Sequence, residues 1–68
     1  MIYEYITSYC DKKKITVAEL ERKCNLGRGS IGKWRKSTPS LDNLKKVSDY
    51  TKISMNVLVR ESLEKGKF

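Results

Sequence analysis

Apolar residues recur three and four positions apart in five short runs, and each run is closed by residues that stop or cap a helix, so the chain reads as helix throughout. Ile2, Ile6, Tyr9 and Cys10 mark a first amphipathic helix over about 2–12. It ends in Asp11-Lys12-Lys13-Lys14, whose lysines suit the negative end of the helix dipole. Thr16 followed by Glu19 is a capping-box pattern, opening a second helix with Leu20 and Cys24 on one face and Val17 close to it; this helix should stop near Cys24. Asn25-Leu26-Gly27 supplies a tight turn, because Asn and Gly tolerate the left-handed conformation a corner needs. A third helix is expected over 28–36, burying Ile31 and Trp34 and turning Arg28, Gly29, Gly32, Lys33 and Lys36 outward. Pro39 disfavours helix in the residue before it, and Ser40 can cap a fourth helix over 41–51 marked by Leu41, Leu44, Val47 and Tyr50. Ser54 can cap a fifth helix carrying Val57, Leu58 and Leu63, and residues 64–68 are expected to fray.

Sixty-eight residues make one domain, and a domain this small buries only about 60% of the surface its unfolded chain exposes. With 38% hydrophobic and 34% charged residues the composition is globular despite the surplus of charge. That surplus is segregated. Of the 15 Lys and Arg and 8 Asp and Glu that give the formal net of +7, the stretch from Arg22 to Lys46 holds eight bases (Arg22, Lys23, Arg28, Lys33, Arg35, Lys36, Lys45, Lys46) and one acid, Asp42. The remaining residues balance. A basic centre in so short a chain implies a polyanionic partner.

Other classes lack their residues. There is no His and no Cys-x-x-Cys pair, and only Cys10 and Cys24 are present, so zinc ligation and a disulfide framework are both unsupported, and reduced, cytoplasmic thiols are expected. No metal, cofactor, small-molecule substrate or membrane partner is expected. No apolar run approaches the ~20 residues a bilayer span requires, and the first residues lack the basic-then-apolar order of a secretory signal. No nucleophile stands beside a base and no Gly-rich phosphate loop is present, so no catalytic constellation can be assembled.

A short helix, a glycine-containing corner and a second short helix rich in outward bases form a helix-turn-helix unit, here over about 16–36, whose second helix would enter the major groove of DNA. Leu20, Leu26 and Ile31 put one apolar residue on each limb and one in the corner, pinning the two helices at a fixed angle. Gly29 and Gly32 each weaken the third helix by about 1 kcal/mol relative to Ala. Either a ligand approaches its outer face closely, or the glycines let the second and third helices pack. Trp34 could stack on exposed bases in a single-strand binder, but its spacing from Ile31 favours the core.

The segments Ile15-Thr16-Val17-Ala18-Glu19-Leu20, Cys24-Asn25-Leu26-Gly27-Arg28-Gly29-Ser30-Ile31-Gly32-Lys33-Trp34 and Pro39-Ser40-Leu41-Asp42-Asn43-Leu44 resemble, in order and spacing, the phage repressor and Cro-like (lambda-repressor-like) helix-turn-helix proteins. Ile53-Ser54-Met55-Asn56-Val57-Leu58 is similar to the start of that family's fifth helix, so the resemblance spans roughly residues 2–60. It implies an all-α, five-helix domain that binds double-stranded DNA as a transcriptional regulator, usually as a homodimer on a palindromic operator. Base contacts would come from Arg28, Gly29, Ser30, Gly32 and Lys33, with Arg28 and Lys33 as the principal readers of guanine O6 and N7. Phosphate contacts would come from Thr16, Arg35, Lys36, Ser37, Thr38 and Asn43. One departure stands out. Many members pair an Arg near the end of helix one with a Glu near the end of the recognition helix, and this chain has Cys10 and Arg35 there, which leaves Cys10 as a small buried apolar residue and Arg35 able to reach a phosphate.

Two rival readings keep the same fold. A protein-interaction module, such as an antitoxin or a phage accessory factor, would use Tyr3, Tyr5 and the helix-five tail for a partner; a basic non-specific nucleic-acid binder would use the charge alone.

Overall fold

The computed structural model describes residues 2–63, and the expected frayed tail lies outside them. Five helices follow in order: α1 (Ile2–Lys13), α2 (Val17–Lys23), α3 (Ser30–Lys33), α4 (Leu41–Thr51) and α5 (Met55–Leu63). No strand occurs among the described residues.

The starts of the helices follow their caps. Thr16 Oγ1 accepts from the Glu19 N–H at 3.0 Å, Ser40 Oγ from Asn43 at 3.1 Å and Ser54 Oγ from Val57 at 3.3 Å, each satisfying an amide with no partner inside its helix. The ends use left-handed residues. Lys14 (φ 59°) and Asn25 (φ 61°) each reverse the chain so that the next residue's N–H reaches back, Ile15 to the Cys10 carbonyl at 3.0 Å and Leu26 to the Glu21 carbonyl at 2.8 Å. Lys52 (φ 67°) closes α4 in a similar way, its N–H donating to the Ser48 carbonyl. Between α2 and α3 the left-handed residues are Asn25 and Gly29; Gly27 does not take a positive φ.

The third helix is shorter than its periodicity suggests. Regular α-helix covers Ser30–Lys33 only, because Gly29 at φ 80° stands outside the helix as its cap and Arg28 precedes it. Beyond Lys33 the chain continues in tighter turns, with the N–H groups of Trp34, Arg35 and Lys36 donating to carbonyls three residues back. Ile31 and Trp34 are both buried, so the apolar spacing was sound although the regular helix was not.

The core gathers Ile2, Ile6 and Cys10 from α1, Leu20 and Cys24 from α2 and its cap, Leu26 from the corner, Ile31 and Trp34, Leu44 and Val47 from α4, and Leu58 from α5. It contains the three pins Leu20, Leu26 and Ile31. α1 packs on α2 and α5, α4 on α5, and α2 on α3. Leu41 and Leu63, expected inward, lie outside, at 67% and 69% exposed. Leu41 is the first residue of α4, and the residue buried at that end is Pro39; Leu63 is the last residue of α5, beyond its final buried turn. Tyr50 is exposed as well, and Val57 is half-buried beside the fully buried Leu58.

Candidate nucleic-acid interface

The corner is held by a side chain that sequence reasoning passed over. Glu21 lies on the inner face of α2, only 6% exposed, and its two carboxylate oxygens accept from two backbone amides of the next limb: Oε1 from Gly29 at 3.1 Å and Oε2 from Ile31 at 3.0 Å. A buried carboxylate costs free energy unless donors surround it, and charge-assisted bonds of this kind are about twice as strong as neutral ones. Between them, the Ser30 N–H donates to the Gly27 carbonyl at 3.1 Å. Three successive amides at the start of α3 are therefore spent inside the protein. The available signal was positional: Glu21 falls three residues before Cys24 and four after Val17, on the apolar side of its helix.

The outer face of α3 is open. A Cβ built on Gly29 or Gly32 would meet nothing within 4 Å, so neither glycine is there to let helices pack. Gly29 is required by its positive φ, whereas Gly32 is required by nothing in the fold. The missing side chains leave a shallow depression lined by Gly29, Gly32, Lys33, Arg35, Lys36 and Ser37. All six belong to the contact set expected from sequence.

The structure places the rest of that set as follows. Arg28, Gly29 and Lys33 are exposed, with Ser30 and Gly32 half-buried, so the base-reading candidates form one surface at and just before α3. Arg28, Lys33 and Lys36 have no ion pair or side-chain hydrogen bond among the described residues. Arg35 is engaged: its guanidinium lies over the Tyr3 ring at 5.3 Å, a cation–π contact tying the turn after α3 to α1. That contact joins the same two elements as the ion pair this chain lacks. Ser37 and Thr38 are exposed after the turn. Thr16 and Asn43 sit at the starts of α2 and α4, where the Thr16 oxygen accepts its capping bond but its O–H is left as a donor. Two further bases of the central segment are used within the fold, Lys45 beside Asp49 at 3.7 Å and Lys46 donating to the Asn25 carbonyl at 3.5 Å.

Cys10 and Cys24 are both buried free thiols. Burial raises both above the ordinary thiol value of 9.0, Cys24 to about 11 with a smaller push from the Cys10 charge. Both behave as small apolar residues rather than nucleophiles. Among the described residues no group of three or more His, Cys, Asp or Glu is placed to hold a metal ion, and no helix is long and apolar enough to cross a membrane.

A family model described as helix-turn-helix matches residues 6–58, well over half of the chain and spanning every element of the site. The chain belongs to the lambda-repressor/Cro-like helix-turn-helix family. This is a family of DNA-binding transcription regulators, and α2, the corner and α3 all lie within the matched residues. No curated protein and no solved structure matches the chain.

Proposed function

We propose that this helix-turn-helix protein is a sequence-specific regulator of the repressor/Cro type, of phage or prokaryotic origin, acting in the cytoplasm as a homodimer on a palindromic operator. The observation that carries the reading is the open face of α3, where Arg28, Lys33 and Lys36 stand without side-chain partners among the described residues, beside a depression lined by Gly29 and Gly32. A glycine with open space above it and no conformational need is what close approach by a base edge requires. Arg28 and Lys33 donate to base edges, while Lys36, Ser37, Thr38, Thr16 and Asn43 hold the flanking phosphates, with Arg35 reaching its phosphate from its seat on Tyr3. The role is binding rather than catalysis, since the chain has no His and no nucleophile beside a base.

One such domain touches too few base pairs for strong selectivity, so two copies would bind half-sites about 34 Å apart on one face of the duplex. The exposed Leu63 at the end of α5 supports a contact between copies there. Selection from random duplex DNA followed by sequencing tests the reading. Enrichment of a two-fold symmetric consensus is expected; recovery of unenriched sequence would overturn it, and would favour the protein-interaction role.

A further inference from the structure

We propose that Glu21 is the positioning residue for sequence reading: its carboxylate sets the Arg28–Ser30 backbone in the register at which Arg28 and Lys33 face base edges. This rests on the DNA-reading role of α3.

The regular part of α3 is four residues long, Ser30–Lys33, too short to hold its own shape in water. Its cap residue, Gly29, has no side chain to close the first turn, so closure must come from elsewhere. Glu21 supplies it from α2, eight and ten positions away in sequence, gripping the Gly29 and Ile31 N–H groups with one oxygen each. A two-point grip fixes orientation as well as distance. It also fixes the left-handed turn at Gly29, since that φ of 80° directs the Gly29 amide inward and leaves Arg28 on the exposed side.

An apolar side chain of similar volume would fill the same space but leave the Gly29 and Ile31 amides without acceptors, so the carboxylate stabilises the corner as well as shaping it. What an apolar side chain cannot do is choose one backbone register among several for a glycine-flanked loop. The carboxylate has a second consequence. With the Gly29, Ser30 and Ile31 amides all donating to protein acceptors and a negative charge seated behind two of them, these three amides are not offered to a phosphate. The recognition segment is thereby left to base edges, and phosphate holding falls to the side chains around it.

The test compares the full chain with Glu21→Gln and Glu21→Asp. The Gln variant keeps one acceptor and sets an NH₂ against the other amide; the Asp variant keeps the charge but is one methylene too short to span both. Each is titrated against the selected operator and a scrambled duplex over a range of salt, with circular dichroism to confirm folding and amide exchange at Gly29 and Ile31 to report the grip. Expected are faster exchange at one or both amides and an operator affinity lower by about tenfold or more, the worth of one charge-assisted hydrogen bond. Scrambled-duplex affinity should change by less than about twofold and the salt slope should hold, since phosphate contacts are untouched. Equal losses on both duplexes, or operator discrimination as sharp as in the unmodified chain, would overturn the proposal. If the Gln variant fails to fold, the Asp variant decides by the same criteria. Failure of the unmodified chain to tell operator from scrambled DNA would instead remove the DNA-reading role itself.

Discussion

Gly32→Ala should stabilise the protein and weaken its operator complex, two effects of opposite sign from one methyl group. Gly32 lies inside α3 without a positive φ, and the added Cβ would meet no atom within 4 Å. The substitution therefore removes unfolded-state freedom at no steric cost. In a long helix it would gain up to about 1 kcal/mol, and in a four-residue helix roughly 0.5 kcal/mol is reasonable. For a domain of this size that is a rise in Tm of about 2–4 °C. On DNA the same methyl occupies the depression beside Lys33 and Lys36. A base edge at van der Waals contact with the glycine must retreat by about 1 Å, enough to stretch neighbouring hydrogen bonds past about 3.2 Å. Losing one good base contact costs about 1–3 kcal/mol, so operator affinity should fall by roughly 5- to 150-fold. Thermal melting by circular dichroism and competition titration with labelled duplex read the two effects separately. An Ala variant that binds the operator as tightly as the unmodified protein would refute the close-approach reasoning.

Three other perturbations probe different parts of the account. Gly29→Ala places a Cβ in open space but at φ 80°, so strain alone should lower stability by about 1 kcal/mol, seen as a fall in Tm of roughly 4–8 °C; an unchanged Tm would contradict the left-handed assignment. Lys36→Ala should weaken operator and random duplexes by similar factors and reduce the slope of log affinity against log salt by about one, and a sequence-dependent loss would move Lys36 into the base-reading set. The Cys24 thiol is held up at about 11 against an ordinary 9.0, so the folded state favours the protonated form. Its contribution to stability is complete below pH 9 and is lost as pH rises through about 11, so the gap in urea midpoint between the protein and Cys24→Ala should narrow over that window; a constant gap would refute it.

Much of the architecture was legible because it rests on local chemistry. Thr16, Ser40 and Ser54 announce helix starts by carrying an oxygen at the right offset, and Ile6, Leu20, Ile31, Leu44 and Leu58 announce buried faces by spacing. The outward placement of Arg28, Gly29 and Lys33 was legible for the same reason, since Ile31 and Trp34 are inward. What was hidden depends on partners distant in sequence. Periodicity could not show that α3 begins only at Ser30, because the start is imposed by Glu21 acting across eight residues on a left-handed Gly29. Glu21 itself was passed over because an acid on a helix is ordinarily assigned to solvent, and only the folded corner reveals the two amides that keep it buried. The ends of α4 and α5 misled in the other direction, since Leu41 and Leu63 keep the apolar spacing past the point where the core stops. Arg35 looked unattached for want of an acid opposite, and the structure gave it an aromatic ring instead.

The central claim is that Arg28 and Lys33 read bases. Affinities of Arg28→Ala and Lys33→Ala for the selected operator and for a scrambled duplex, measured side by side at one salt concentration, test it most directly. Each substitution should cost about 1–3 kcal/mol on the operator and clearly less on the scrambled duplex, because only the right base completes the hydrogen bonds that are lost. Equal losses on both duplexes would contradict the claim and reduce this face of α3 to a non-specific holder of DNA.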